Sequence, residues 1–185
     1  MEQVGQRLPG TTENALILLI ETGDGGENTM DRNFSFIMDV EARIERRKEI
    51  SNNLVSRFLD VEAEKRGKYF FNEVADHQEV WTVWDGEVLP EYETSKGKWA
   101  INCWPHRAFA REFHSKTIKG PQFVPIPIDA FIDDIIKPNI DTLELMIFPV
   151  GVNHTALCME PNAFISRLLE EYNRIYGEVP KLYLN

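Results

Sequence analysis

The stretch CWPHRAFAREF, residues 103–113, decides how the chain is read. It sets Cys103 and His106 three residues apart around Trp104-Pro105, so it is either a reactive pair or the place where a strand turns into a helix. Two later stretches, IPIDAFIDDI (126–135) and EPNAFISRLL (160–169), also place Ala-Phe just after a proline and a polar residue. Read together, the three are a strand-to-helix grammar. Proline fixes the chain direction as the strand ends, and Asp129 and Asn162 are expected as N-caps. The alanine lets the first helical turn approach the sheet, and the phenylalanine drops one ring onto it. Phe109, Phe131 and Phe164 fall at steps of 22 and 33 residues, which is not the fixed period of a repeat array.

Helices follow from these starts. His106 to Lys116 carries Phe109 and Phe113 at i and i+4, Ala130 to Ile136 follows Asp129, and Ala163 to Tyr176 presents Phe164, Ile165, Leu168, Leu169, Tyr172 and Ile175. Between them lie short aromatic and β-branched runs. EVWTVW (79–84) and KWAINCW (98–104) are expected to pair as a hairpin across the long acidic link DGEVLPEYETSKG. FVPIP (123–127) is expected at a sheet edge, because Pro125 and Pro127 bring no ladder donors. LELMIFPV (143–150) and HTALCM (154–159), joined through Gly151-Val152-Asn153, form a second expected hairpin.

Upstream, Asp31 to Gln78 changes to a helical period, with Phe34, Ile37, Val40 and Ile44, then Leu54, Phe58, Phe70 and Val74. Ser51-Asn52-Asn53 is rich in capping residues and should break it into separate helices. Residues 1–30 stand apart, with Ala15 to Glu21 read as a short strand and the glycine-rich 23–28 as a plain turn without the Gly-Lys-Ser/Thr of a phosphate loop. The expected class is α+β: a mostly antiparallel or mixed sheet of about five strands with helices packed on it, preceded by an N-terminal helical extension. The expected divisions are 1–30, a helical extension over 31–63, and an α+β domain over 64–185.

The bulk properties bound the partners. In 185 residues, 20 basic and 30 acidic side chains give a formal charge of -10 and a pI near 4.9. Such a surface is repelled by nucleic-acid phosphates and anionic membranes, and favours a basic protein partner. Cys103 and Cys158 make no disulfide framework, which suits a reducing cytoplasm. The apolar run Ala15 to Ile20 is far short of the roughly 20 residues that span a bilayer, and it lacks the flanks of a secretory signal.

Candidate chemistry is sparse. Cys103-x-x-His106 and His154-x-x-x-Cys158 resemble a metal-ligand string. On a strand, however, four residues advance the chain by about 13 Å, so His154 and Cys158 cannot reach one ion. Cys103 shares a strand face with Trp99 and Ile101, which makes it a core residue and leaves His106 without a third group to orient it as a base. His77 and His114 read as surface histidines near helix ends, and Asp133-Asp134 and Glu170-Glu171 as solvated helix faces. No catalytic residue, metal or cofactor is therefore expected. The cluster Asp85, Glu87, Glu91, Tyr92 and Glu93 differs, since four acids and an aromatic share one loop flanked by Trp81 and Trp84. Loops on a rigid scaffold often carry binding, and this one suits a basic partner.

KYFFNEVADHQEVWTVWDGE (68–87), AINCWPHRAFAREF (100–113), VPIPIDAFIDDI (124–135) and IFPVGVNHTALCMEPNAF (147–164), in that order, resemble the small bacterial family catalogued as domain of unknown function 2750. The resemblance covers about Glu64 to Tyr176 and implies an α+β domain with an antiparallel or mixed sheet. It brings no activity and no catalytic residues. The extra residues at the start and the EVLPEYETSKG insertion depart from the family pattern.

The expected function is a cytoplasmic, non-enzymatic protein-binding domain, in concrete form an immunity- or antitoxin-like protein that masks a basic toxin or effector. Its expected binding residues are Asp85, Glu87, Glu91, Tyr92 and Glu93. The alternative is a small-molecule or regulatory sensor whose pocket is lined by Trp81, Trp84, Trp99 and Trp104 between sheet and helices, with His106 also among its residues.

Overall fold

The computed structural model describes residues 50–84, 89, 92–94, 96–114, 122–150 and 156–177. The readings made above for residues 1–49, for Asp85, Glu87 and Glu91, and for His154 lie outside the described residues.

Helix α1 (Asn52–Leu59) begins where the capping residues demand, with Ser51 as N-cap and its hydroxyl accepting from the Leu54 N–H at 3.4 Å. It buries Val55 and sets Phe58 against Tyr69, Phe109 and Phe148. Helix α2 (Ala63–His77) buries Arg66, Gly67, Phe70, Phe71, Val74 and Ala75 on one face. It ends at Gln78, whose φ of 58° turns the chain straight into β1 while its N–H closes on the Val74 carbonyl at 2.7 Å.

Strand β1 (Glu79–Trp84) does not pair with the 98–104 stretch as a hairpin. It pairs antiparallel with β4 (Gln122–Pro127), Glu79 opposite Pro127 and Trp84 opposite Gln122, and these two make a separate sheet. The physical reason lies in the turns. Gly97, at φ 73°, closes a tight turn with Thr94 N–H bonded to the Lys98 carbonyl at 2.7 Å. That turn pairs the short β2 (Tyr92–Glu93) with β3 (Trp99–Cys103). On its other side β3 pairs in parallel with β5 (Leu143–Ile147), Trp99 opposite Leu143 and Cys103 opposite Ile147. Both strands bury residues on both faces, as a parallel pair beneath helices requires.

The second expected hairpin is present, since β5 pairs antiparallel with β6 (Leu157–Met159). The larger sheet runs β2-β3-β5-β6. The two sheets are tied together beyond the end of β3, where Trp81 and Trp104 exchange paired backbone hydrogen bonds of 2.8 Å each. Thr82 adds its hydroxyl to the Asn102 carbonyl at 2.9 Å. The architecture is α+β with a mixed sheet, and among the described residues it has six strands in two sheets. Pro125 and Pro127 keep β4 at an edge, and among the described residues β1 is its one strand partner.

All three proline starts lead into helices, but two caps are moved. Helix α3 (Arg107–His114) follows Pro105, and Ala108, Phe109 and Ala110 of its first turns are buried. Helix α4 (Ile128–Ala130) is capped by Pro127, so Asp129 lies inside the first turn and accepts only from the adjacent Ala130 N–H at 2.9 Å. It widens into a π-helical stretch over Phe131–Ile136 and ends as a 3-10 turn at Lys137–Asn139. Pro138 brings no N–H to continue the helix, and Asn139 Nδ2 takes up the Ile135 carbonyl at 2.9 Å. Helix α5 (Pro161–Tyr176) is capped by extended Glu160, with Pro161 at the first helical position, so Asn162 is likewise internal. A proline whose φ is already helical and whose missing N–H is not needed takes that position ahead of the polar residue.

The core lies between α2, α5 and the larger sheet. Phe164 of α5 meets Phe71 at 5.4 Å, Phe131 at 5.9 Å and Phe70 at 6.2 Å between ring centroids. Arg167 covers the outer side of Phe71 at 5.8 Å. At Gly67 helix α2 passes close to β6, since a Cβ there would stand 2.7 Å from Leu157 Cδ2.

Candidate functional site

Of the expected partner-binding residues, Tyr92 and Glu93 are described. Both are exposed on β2, the edge strand of the larger sheet. Tyr92 lies opposite Ala100 and Glu93 opposite Trp99, and the Tyr92 hydroxyl donates to Asn102 Oδ1 at 3.2 Å. Partial burial, with Cys158, Cys103 and Glu144 nearby, holds the Tyr92 phenol above its ordinary pKa, so it stays a neutral donor. Beside it, Glu144 is buried on β5 and takes Lys96 Nζ at 2.7 Å and the Cys158 thiol at 3.3 Å. The hydrogen bond from Lys96 is the main cause that holds the Glu144 carboxyl below the usual carboxylate range.

The five residues of the expected pocket separate: the tryptophans lie on or beside the strands, with half-buried Trp99 at the start of β3 opposite Leu143, and His106 does not join them. Trp81 and Trp104 are core residues, joined through their backbones. Trp104 Nε1 donates to the Pro149 carbonyl at 2.8 Å and its ring packs on Phe113 at 5.3 Å. The Trp81 indole N–H is buried and has no partner among the described residues. Trp84, half-buried, ends β1 opposite Gln122.

His106 goes elsewhere. It follows Pro105 and faces the C-terminal end of α2, where its Nε2 lies 2.8 Å from Glu73 Oε2 and 3.2 Å from the Tyr69 hydroxyl. His77, one turn after Glu73, brings its Nε2 to 3.5 Å from the same carboxylate oxygen. His77 is the exposed histidine at a helix end that the sequence leads one to expect, and it also joins a cluster with Glu73 and His106. The three side chains run from 13% exposed at His106, through 21% at Glu73, to 37% at His77, so the group opens outward at one end. The hydrogen bond with His106 leads the causes that lower the Glu73 carboxyl pKa, against the effect of burial. Burial and the Glu73 charge push the Tyr69 phenol up to about 12.

The backbone explains why these groups meet. Gln78 reverses the chain at the end of α2, and the Trp81–Trp104 bridge runs antiparallel, so the residues just before Trp81 lie beside those just after Trp104. His106 is thereby laid against the last turn of α2. Sequence reasoning missed Glu73. The available signal was the i, i+4 spacing of Glu73 and His77 within a helical segment, which puts both on one face.

Cys103 is fully buried, its thiol directed to the Ile101 carbonyl at 3.8 Å, and burial pushes its pKa up. His106 is bonded away from it, so the CxxH stretch is a strand-to-helix turn and not a nucleophile pair. Cys158 is exposed and engaged with Glu144, and the described members of the CxxH…HxxxC string lie at three different places. Asp133 pairs with Lys137 on an exposed face as expected. Glu171 is instead half-buried and pairs with Arg174 at 2.6 Å. His114 is the last residue of α3. No described helix is long and apolar enough to cross a membrane.

These features define an α+β domain in which a two-stranded and a four-stranded sheet share one helix-covered core. The chain belongs to the family described as "Protein of unknown function (DUF2750)", whose model matches residues 67–168, from the middle of α2 to the middle of α5. No curated protein and no solved structure matches it.

Proposed function

We propose that the protein is a non-enzymatic, cytoplasmic protein-binding domain that holds a basic partner, in the manner of an immunity or antitoxin protein masking a toxin or effector. The observation that carries this reading is the exposed pair Tyr92 and Glu93 on an edge strand, with the Tyr92 ring anchored by its hydroxyl to Asn102. An amphipathic ring held in place beside carboxylates is the composition of an interface anchor. Glu87 and Glu91 precede it in sequence, and the formal charge of -10 would steer a cationic partner toward it. The free thiols of Cys103 and Cys158 support a reducing compartment.

The test is an affinity pull-down from the native host at low salt, with wild type beside a variant carrying Glu87→Gln, Glu91→Gln and Glu93→Gln. A stoichiometric basic partner, lost in the variant and weakened as salt rises, is the expected result. A partner retained by the variant, or held equally at low and high salt, refutes the reading.

A second reading, a small-molecule or regulatory sensor, is favoured by the buried, unpartnered indole N–H of Trp81, a donor that a ligand acceptor would satisfy. A metabolite that binds there should change tryptophan fluorescence and raise Tm by mass action. Absence of both changes across a metabolite screen rejects it.

A further inference from the structure

At the outer end of α2, two nitrogen donors and one oxygen donor converge. Glu73, His77 and His106 each offer one donor atom, and these atoms all lie within 4.8 Å of one another; Glu73 Oε2 stands 3.5 Å from His77 Nε2 and 2.8 Å from His106 Nε2. Two of the ligands share a helix face at i and i+4, and the third comes from a turn fixed by Pro105 and by the paired Trp81–Trp104 hydrogen bonds. The donors are therefore assembled by elements that pack independently of any ion, which is the condition for a preformed site.

We infer that Glu73, His77 and His106 form a binding site for a divalent transition-metal ion, with zinc as the reference case. Metal–donor bonds of about 2.0–2.2 Å in tetrahedral geometry put ligand atoms about 3.3–3.6 Å apart. The Glu73–His77 separation of 3.5 Å already meets that requirement. The Glu73–His106 contact of 2.8 Å is a hydrogen bond, and an ion that replaces its proton opens it by about 0.5 Å to reach the same spacing.

The donor set selects the ion. Two imidazoles and one carboxylate suit zinc, cobalt, nickel or ferrous iron, whereas calcium and magnesium require all-oxygen shells. Three protein donors leave a coordination position open, and the 37% exposure of the His77 side chain gives it access to solvent. The Tyr69 hydroxyl lies 3.2 Å from His106 Nε2 and gives up that contact when an ion takes the nitrogen's lone pair. This site lies apart from the Tyr92 edge and does not depend on the docking reading.

The experiment uses the full chain, tag-free and stripped of metal. Cobalt(II) is titrated in and its visible ligand-field absorption recorded, zinc is then added in competition, and Tm is measured with zinc, magnesium and calcium. Wild type should develop cobalt bands that zinc abolishes, and zinc alone of the three should raise Tm. His77→Ala and Glu73→Gln should each weaken cobalt binding by at least about tenfold. His77 is the surface-open ligand, so its variant keeps the core packing, and a far-UV spectrum and metal-free Tm matching wild type confirm that the fold is retained. Absence of cobalt bands together with no Tm shift at millimolar zinc overturns the site. So does equal cobalt affinity in wild type and both variants, which would mark adventitious binding at other side chains.

Discussion

Replacing Arg66 by methionine should destabilise the fold by about 2–3 kcal/mol, and the figure follows from what the guanidinium holds. Arg66 is 2% exposed on the inner face of α2. Its Nε donates to the Phe148 carbonyl at 3.1 Å, and Nη1 donates to the Val61 carbonyl. Phe148 is the residue at which the chain leaves β5 with φ of 48°, a conformation that L-residues avoid. Its N–H is already committed to the Cys103 carbonyl at 2.8 Å, and its ring is stacked among Phe58, Phe109 and Tyr69. Arg66 therefore ties the start of α2 to the turn after β5, two segments far apart in sequence.

Methionine keeps most of the aliphatic stem and removes the guanidinium, and with it these two hydrogen bonds. A buried carbonyl left unpaired costs about 1–3 kcal/mol. The Phe148 carbonyl is in the core and takes the upper part of that range, whereas half-buried Val61 can recruit water and takes the lower part. Against a gross loss of about 3–4 kcal/mol stands the recovered cost of keeping a guanidinium out of water, the same burial that lowers its pKa. A net loss of about 2–3 kcal/mol lowers Tm by about 4–12 °C for a domain of this length. Urea titration by circular dichroism, with the slope compared to wild type, measures the effect directly. An Arg66→Met variant as stable as wild type, or more so, would show that desolvation outweighs the two bonds and would refute the reasoning.

Glu144 has its carboxyl pKa depressed by Lys96, so its contribution to stability is complete above the unfolded value near 4.5 and is lost as pH falls through the folded value. Urea midpoints followed downward through pH 4.5 should fall less steeply in Glu144→Gln than in wild type, and parallel curves would contradict this. Partial desolvation and the neighbouring Glu144 push the Cys158 thiol up to about 11 from an ordinary 9.0, so its thiolate fraction at neutral pH is about a hundredfold smaller than that of a free thiol. Iodoacetamide should label Cys158 slowly and Cys103 only after unfolding, and native labelling of Cys103 at the rate of a model thiol would sink the assignment. Gly67→Ala should change stability by less than about 1 kcal/mol, because the helix-propensity gain is offset by a forced shift of Leu157, whose Cδ2 stands 2.7 Å from the new Cβ. A loss much larger than that, read from urea midpoints, would mean that α2 itself must move away from β6.

The parts of the fold legible in the sequence are those set by local chemistry. Ser51 caps α1 through its own hydroxyl, proline ends three strands and opens three helices, and two prolines hold β4 at an edge. Each needs only a few neighbouring residues to state its preference. The pairing of β3 was not legible for the opposite reason. KWAINCW and EVWTVW both look like hairpin strands, and nothing within either says that a parallel partner forty residues downstream is available. The deciding feature was Gly97, whose positive φ gives the tight turn to β2 and so takes the hairpin away from β1.

The cluster at the end of α2 shows the same limit from the side of function. Glu73 and His77 could be placed on one helix face from spacing alone, but that pair gains a third ligand only if His106 is carried to it. Gln78 and the Trp81–Trp104 bridge carry it there, and neither announces this in sequence. The CxxH stretch drew attention for the wrong neighbour: His106 matters through Glu73, thirty-three residues upstream, and Cys103 matters as core. Its imidazole is held by a helix that packs on the sheet independently of it, so losing the ring should cost the cluster its third donor while leaving β3, α3 and the Tyr92 edge in place. That separability is what allows the docking edge and the metal cluster to be tested one at a time on the intact chain.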